Sequence, residues 1–188
     1  MNAGEEFDEW TESNGGPLLL VSDELACEWL GTEAPTDGRI IEAKFRWNED
    51  SPPCDYDRAC DIRDYVGSLA VGWGTAIVLW GEPLPTLWRP CSFARGGLLV
   101  RWMYAESDEA VMGHLSKLTR LEFELTDHIL ETNTGRVAMF DSAFPGGEFA
   151  EFGAGRYLSI GAGRFRLGTA EWKPDEQTEM VLHPLVAV

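Results

Sequence analysis

The carboxylates are the side chains of this chain that could carry chemistry. Four aspartates cluster around Tyr56 at Asp55, Asp57, Asp61 and Asp64. A calcium loop would need a glycine at its sharp turn, whereas here Arg58 stands inside the cluster. The spacing therefore favours a solvated acidic face, with recognition of a basic partner as the alternative.

Other catalytic patterns are absent from the sequence. The three histidines are isolated, at His114, His128 and His183. The four cysteines form no CxxC pair; they are Cys27, Cys54, Cys60 and Cys91. No strand-to-helix nucleophile motif or phosphate-binding loop is present. We therefore predict no catalytic residue, no metal and no cofactor, and expect reduced, mostly buried thiols.

Tryptophan is unusually frequent, with eight residues in the chain. They are Trp10, Trp29, Trp47, Trp73, Trp80, Trp88, Trp102 and Trp172. Most are expected in the core, because each large ring buries much apolar surface. Trp73 is different, since it lies between two glycines in a predicted turn. An exposed tryptophan beside acids would anchor a basic partner, which makes Trp73 and Trp47 candidate contacts.

Composition excludes several classes of partner. The 188 residues carry 15 basic and 32 acidic side chains, a formal net charge of −17. Such a polyanion repels nucleic acid and anionic membranes. The first ten residues lack a basic or apolar signal pattern, and no apolar run approaches 18 residues. These features predict a cytoplasmic protein.

Most of the apolar segments in the sequence have the residue patterns that are typical of β-strands. We predict strands over residues 18–21, 65–71, 75–80, 97–104, 121–125, 136–140, 157–160, 164–170 and 180–185. Helices are predicted over residues 22–31, 56–61 and 108–119, the first ending at Gly31. The fold class is α+β and mostly antiparallel β, with one or two packed β-meanders and two or three short helices.

Residues 1–14 contain five acids and no base, which predicts a frayed acidic tail. Residues 15–188 are interpreted as a single domain, with a subdivision near residue 120 left open.

Residues 65–104 and 157–186 both have the pattern strand, glycine turn, strand, proline turn, strand. An internal duplication is one hypothesis for this pattern, and two generic meanders are the other.

Two short motifs carry a family resemblance. Trp29-Leu30-Gly31 fits a W-x-G motif, and Tyr56 to Cys60 fits a Y-x-x-x-C motif. With its flanking segments, the chain resembles the immunity-protein-21 family of bacterial polymorphic toxin systems over about residues 10–186. It departs from the family pattern in an insert over about residues 32–54. We expect the motif residues to be structural, because Tyr56 and Cys60 share one helical face.

The resemblance implies an immunity protein that binds and neutralises a cognate toxin without catalysis. Many such toxins are nucleases with basic clefts, so acidity could speed association. On that basis we hypothesise an inhibitory surface within residues 47–64. The alternatives are a small-molecule-binding β domain and an enzyme with an unrecognised carboxylate site.

Overall fold

The computed structural model describes residues 9–32, 54–80 and 83–188. The strands and helices are β1 Leu18–Ser22, α1 Asp23–Ala26, α2 Asp55–Cys60, β2 Val66–Val71, β3 Gly74–Leu79, β4 Thr86–Arg89, β5 Leu98–Tyr104, α3 Asp108–Leu115, β6 Glu124–Thr132, β7 Arg136–Asp141, β8 Gly155–Ser159, β9 Gly163–Asp175 and β10 Thr178–Ala187. The predicted fold class, mostly antiparallel β with short helices, is confirmed. Within the described ranges, no helix has the length and apolarity to cross a bilayer.

The described strands form two five-stranded sheets. The first has the order β2-β3-β1-β7-β8, and the second has the order β4-β5-β10-β9-β6. Every pairing between these strands is antiparallel. Strands from both sides of residue 120 pair within each sheet.

Apolar side chains cover both faces of the first sheet. Leu18 and Leu20 of β1 join a cluster with residues of the second sheet, including Phe165. Leu19 and Val21 point to the opposite face and pack with α1. Successive strand side chains alternate between faces, so a strand covered on both sides needs a continuous apolar run. This explains why the predicted buried strand at residues 18–21 is correct.

Helix α3 covers the outer face of the second sheet. Its side chains Val111 and Leu115 pack with Leu98, Val100 and Leu182. Ser107 caps the start of the helix, because its hydroxyl accepts a hydrogen bond from the Ala110 amide at 3.3 Å.

A buried arginine connects the two sheets. Arg101 on β5 is 1% exposed. Its Nη1 donates to the carbonyl oxygens of Tyr65 and Trp80, at 3.1 Å and 2.8 Å. These two residues flank the β2–β3 hairpin of the other sheet. The guanidinium therefore satisfies backbone carbonyls across the interface between the sheets.

Several predicted boundaries are wrong. Helix α1 ends at Ala26 rather than Gly31, and α3 ends at Leu115. Strand β4 was not predicted. Strand β6 starts at Glu124, and its pairing with β9 shifts register between Leu125 and Ile129, which disturbs the alternation of its sequence.

The hypothesis of an internal duplication is also wrong. Strands β2 and β3 pair with each other, whereas β8 and β9 lie in different sheets. The two segments therefore share a chain pattern but have different strand orders. Gly161, with a φ of +85°, turns the chain from one sheet to the other.

Only residues 9–14 of the predicted acidic tail are described, and they are not frayed. Thr11 forms a β-bridge with Thr86. The Trp10 indole donates to Asp108 and packs against Trp102, with ring centroids 5.3 Å apart. This segment therefore packs against the second sheet and α3.

Candidate functional site

The two sequence motifs meet in a structural junction. The Tyr56 amide donates to the Gly31 carbonyl at 3.1 Å. Gly31 has a φ of +67°, and a Cβ at this position would overlap the backbone of Ala143. Glycine is required at this position because the φ angle is positive and because the Ala143 backbone leaves no room for a side chain.

Trp29 anchors this junction to the core. Its side chain is fully buried, and its indole Nε1 donates to the Ser142 carbonyl at 2.8 Å. The Trp29 carbonyl accepts a hydrogen bond from Gly146 at 2.9 Å. The residue thus connects the segment after α1 to the loop that follows β7.

Tyr56 and Cys60 contact each other along α2, as their four-residue spacing predicts. Burial, followed by the hydrogen bond to Cys60, raises the pKa of Tyr56. A Cβ on Gly16 would lie 2.5 Å from the Tyr56 ring, so the ring packs directly on that glycine. The Y-x-x-x-C motif therefore attaches α2 to the segment before β1.

The thiols are less buried than predicted. Cys27 is exposed, whereas Cys54, Cys60 and Cys91 are partly buried. Burial raises the pKa of Cys54 to about 11 and also raises the pKa of Cys60 and Cys91. Since the thiolate is the nucleophile, these three thiols are poorly reactive at neutral pH.

We expect Cys60→Ala to lower the free energy of unfolding by about 1–2 kcal/mol, because it truncates a partly buried side chain that contacts Tyr56. Urea unfolding measures this loss. Cys27→Ala, at an exposed thiol, is the matched control. Unchanged stability in Cys60→Ala would contradict this structural role.

The four predicted acidic contacts divide into two pairs. Asp55 accepts from the Leu30 amide at 2.9 Å and pairs with Arg58 at 2.8 Å. Asp57 accepts from the Cys54 amide at 2.9 Å and completes a capping box at the start of α2. Asp61 and Asp64 are exposed. The first pair therefore stabilises α2, whereas the second pair faces solvent.

The predicted contact Trp47 and residues 33–53 of the predicted insert lie outside the described residues. Trp73 is described, and its side chain is 70% exposed at the tip of the β2–β3 hairpin. Two buried tryptophans, Trp29 and Trp88, contrast with it. The predicted exposure of this turn residue thus agrees with the structure.

The hairpin tip is held against α1. Gly72 has a φ of +53°, and a Cβ there would lie 2.9 Å from the Glu28 Cγ. A Cβ on Gly74 would lie 2.5 Å from the Leu25 Cδ1. Both glycines permit this close packing, which fixes the position of the Trp73 backbone.

A cavity of about 370 Å³ lies beside Trp73. Its lining residues are Leu25, Trp73, Gly74, Thr75, Ile129, Glu131 and Arg164. Glu131 and Arg164 form an ion pair with 3.3 Å between Oε2 and Nε, and each side chain is more than half exposed. The site thus combines an aromatic wall with charged groups that solvent can reach.

The histidines are dispersed. His114 pairs with Asp175 at 2.9 Å, and His128 lies 3.2 Å from the Ser68 hydroxyl. Among residues 9–32, 54–80 and 83–188, no group of three or more His, Cys, Asp or Glu side chains is arranged to hold a metal.

His183 is fully buried, and its titration affects stability. Burial, followed by the nearby charge of Arg101, lowers its pKa from 6.5 to about 3. The unfolded chain therefore takes up this proton below pH 6.5, whereas the folded protein takes it up only near pH 3. Stability from this residue is complete above pH 6.5 and is lost as the pH falls toward 3.

We therefore expect wild-type stability to fall by about 2 kcal/mol more than that of His183→Gln between pH 7 and pH 5. Urea unfolding at both pH values measures the difference. His128→Gln, which removes an imidazole that is only partly buried, is the control. Parallel curves for the wild type and His183→Gln would show that His183 titrates alike in both states.

Comparison with known families decides the classification. Residues 9–178 match the family model described as Immunity protein 21. The chain belongs to the immunity protein 21 family. No curated protein and no solved structure matches it.

The match to the immunity protein 21 model includes both motifs and the Trp73 hairpin. Sequence reasoning identified Trp73 but missed its neighbours Leu25, Glu131 and Arg164. No local pattern marks these three residues, because they come from α1, β6 and β9. Their association in this family member depends on the packing of distant segments.

Proposed function

We propose that this protein binds a cognate toxin of a bacterial polymorphic toxin system and neutralises it by protein–protein contact. The observation that carries the proposal is Trp73, a large aromatic side chain that is 70% exposed on a well-packed hairpin. Tryptophan is enriched among the residues that dominate interface energy. Its preorganised backbone lowers the entropy cost of binding.

Contact without catalysis is consistent with the roles of the motif residues. Trp29, Gly31, Tyr56 and Cys60 pack the junction between the first sheet and α2. Burial holds the Cys60 thiol in its protonated form by raising its pKa. These side chains serve the scaffold, which leaves the surface for partner binding.

The proposed partner is a basic toxin, and a nuclease is the proposed class. The chain carries a formal charge of −17, which would steer a positively charged protein toward it. A nuclease cleft is basic because it binds phosphates. A nuclease acts where nucleic acid lies, so we propose that the inhibitor works in the cytoplasm.

The test is co-expression with the product of the neighbouring gene in bacteria. The product of the neighbouring gene should arrest growth when it is expressed alone. Co-expression of this protein should restore growth, because the two proteins form a stable complex. Toxin recovered from the denatured complex should have an unchanged mass and regain activity on refolding. Growth arrest despite co-expression, or a covalently altered toxin, would contradict neutralisation by contact.

The exposed acids Asp61 and Asp64 are proposed rim contacts. We expect Asp61→Asn with Asp64→Asn to slow toxin association severalfold at low salt and much less at high salt, because rim charges act mainly on encounter. Stopped-flow association at two ionic strengths measures the effect. Glu171→Gln with Glu176→Gln makes the same charge change at other exposed positions. Equal slowing by both pairs would indicate overall charge rather than a rim contact.

A further inference from the structure

We infer that the cavity beside Trp73 receives an arginine side chain of the toxin, an inference that rests on the proposed function. The cavity has a volume of about 370 Å³ and opens next to an indole that is 70% exposed. Leu25 and Ile129 supply an apolar lining, and Glu131 supplies a carboxylate. An aliphatic stem with a cationic head matches this arrangement.

The indole is the first recognition element. A cation over the face of tryptophan is attracted by the negative charge of the ring, and tryptophan is the strongest aromatic partner for this contact. Gly72 and Gly74 fit the hairpin tip against Glu28 and Leu25. The hairpin therefore presents the ring without a large ordering cost on binding.

Carboxylates outnumber guanidinium groups on the segments that border the cavity. Four carboxylates lie on the segments that border it, at Asp23, Glu24, Glu28 and Glu131. Asp23 accepts a hydrogen bond from Thr134, and Glu24 accepts one from Asn133, so neither carboxylate is neutralised by these contacts. Arg164 at the cavity wall and Arg166, which pairs with the cavity-lining Ile129, oppose them from β9, while Arg136 lies over the Tyr157 ring at 3.6 Å.

Arginine fits better than lysine. Its planar guanidinium stacks on an aromatic face and pairs with a carboxylate through a fixed fork. In the free protein, Arg164 already pairs with Glu131 at 3.3 Å. An incoming guanidinium would share or replace that pair, so Arg164 limits affinity for the partner's arginine.

The test follows the tryptophan indole signals by NMR in the full-length protein labelled with ¹⁵N. The Trp73 signal is assigned as the one that disappears in Trp73→Phe. N-acetyl-arginine amide should shift this signal saturably, with a dissociation constant on the order of 10 mM. N-acetyl-citrulline amide has nearly the same shape without the charge, so it should produce little shift.

Two variants sharpen the result. Glu131→Gln should weaken arginine binding severalfold, whereas Arg164→Gln should strengthen it because Glu131 loses its internal partner. Absence of a shift with arginine, an equal shift with citrulline, or no change in Glu131→Gln would overturn the proposed subsite. The titration uses no toxin, so its failure is distinct from a failure to neutralise toxin in the co-expression experiment.

Discussion

Replacement of Trp29 by alanine is expected to lower the free energy of unfolding by about 3–5 kcal/mol. The side chain is fully buried and packs with apolar groups of α1 and the first sheet. Truncation would leave a large cavity and would remove the hydrogen bond from the indole to the Ser142 carbonyl. Urea unfolding followed by far-ultraviolet circular dichroism measures the loss.

Trp29→Phe separates these two contributions. Phenylalanine restores most of the buried ring but cannot donate to Ser142, so about 1–2 kcal/mol of the loss should remain. Both variants should still bind toxin in the fraction that is folded. A Trp29→Ala protein with nearly wild-type stability would refute the interpretation of the W-x-G motif as an anchor of the core.

The opposite result is expected for Trp73→Ala. This variant should weaken toxin binding by about 100-fold, a loss of roughly 2–4 kcal/mol, because it removes the proposed central contact. Its free energy of unfolding should change by less than about 0.5 kcal/mol, since the side chain is 70% exposed. Calorimetric titration with toxin and urea unfolding measure the two quantities.

Phe152→Ala is the matched control for the exposed aromatic. Phe152 is 46% exposed and lies with Asp141 around a different cavity. Asp141 pairs with Leu18 at the end of β1 that is opposite the hairpin tip, and Phe152 precedes β8, at the edge of the first sheet opposite β2 and the acids before it. Toxin affinity should therefore be unchanged in Phe152→Ala. Full affinity in Trp73→Ala would place the interface elsewhere, with Asp61 and Asp64 as the next candidates.

The start and end of α1 show where sequence patterns were sufficient and where they failed. The apolar run before Ser22 predicted β1 correctly, because a strand covered on both faces needs no polar alternation. The end of the helix was misplaced at Gly31. The chain leaves the helix after Ala26, and Trp29 then enters the core beneath Ser142. Gly31 has a positive φ, but this conformation serves the junction with Ala143 rather than the end of the helix.

The acidic cluster shows a similar division. The helix predicted over residues 56–61 is close to the observed α2, which spans Asp55–Cys60 and holds two of the four aspartates. Their separate roles were not apparent, because the amide of Leu30 lies 25 residues from Asp55 along the chain. Hydrogen bonds to distant backbone groups leave no local pattern. The solvated acidic face that the spacing favours is present at Asp61 and Asp64, which follow the last residue of α2 and are exposed.

The sequence by itself determined the β character, the glycine turn that carries Trp73 and the acidity of the molecule. These properties depend on side-chain alternation, on backbone freedom at individual residues and on composition, which are local or additive. Only the tertiary structure decided that Leu25, Trp73, Glu131 and Arg164 border one cavity. They belong to four segments, and their meeting follows from the pairing of β6 with β9 and the packing of α1 against the hairpin. Burial between distant segments is cooperative, so no single stretch of sequence contains it.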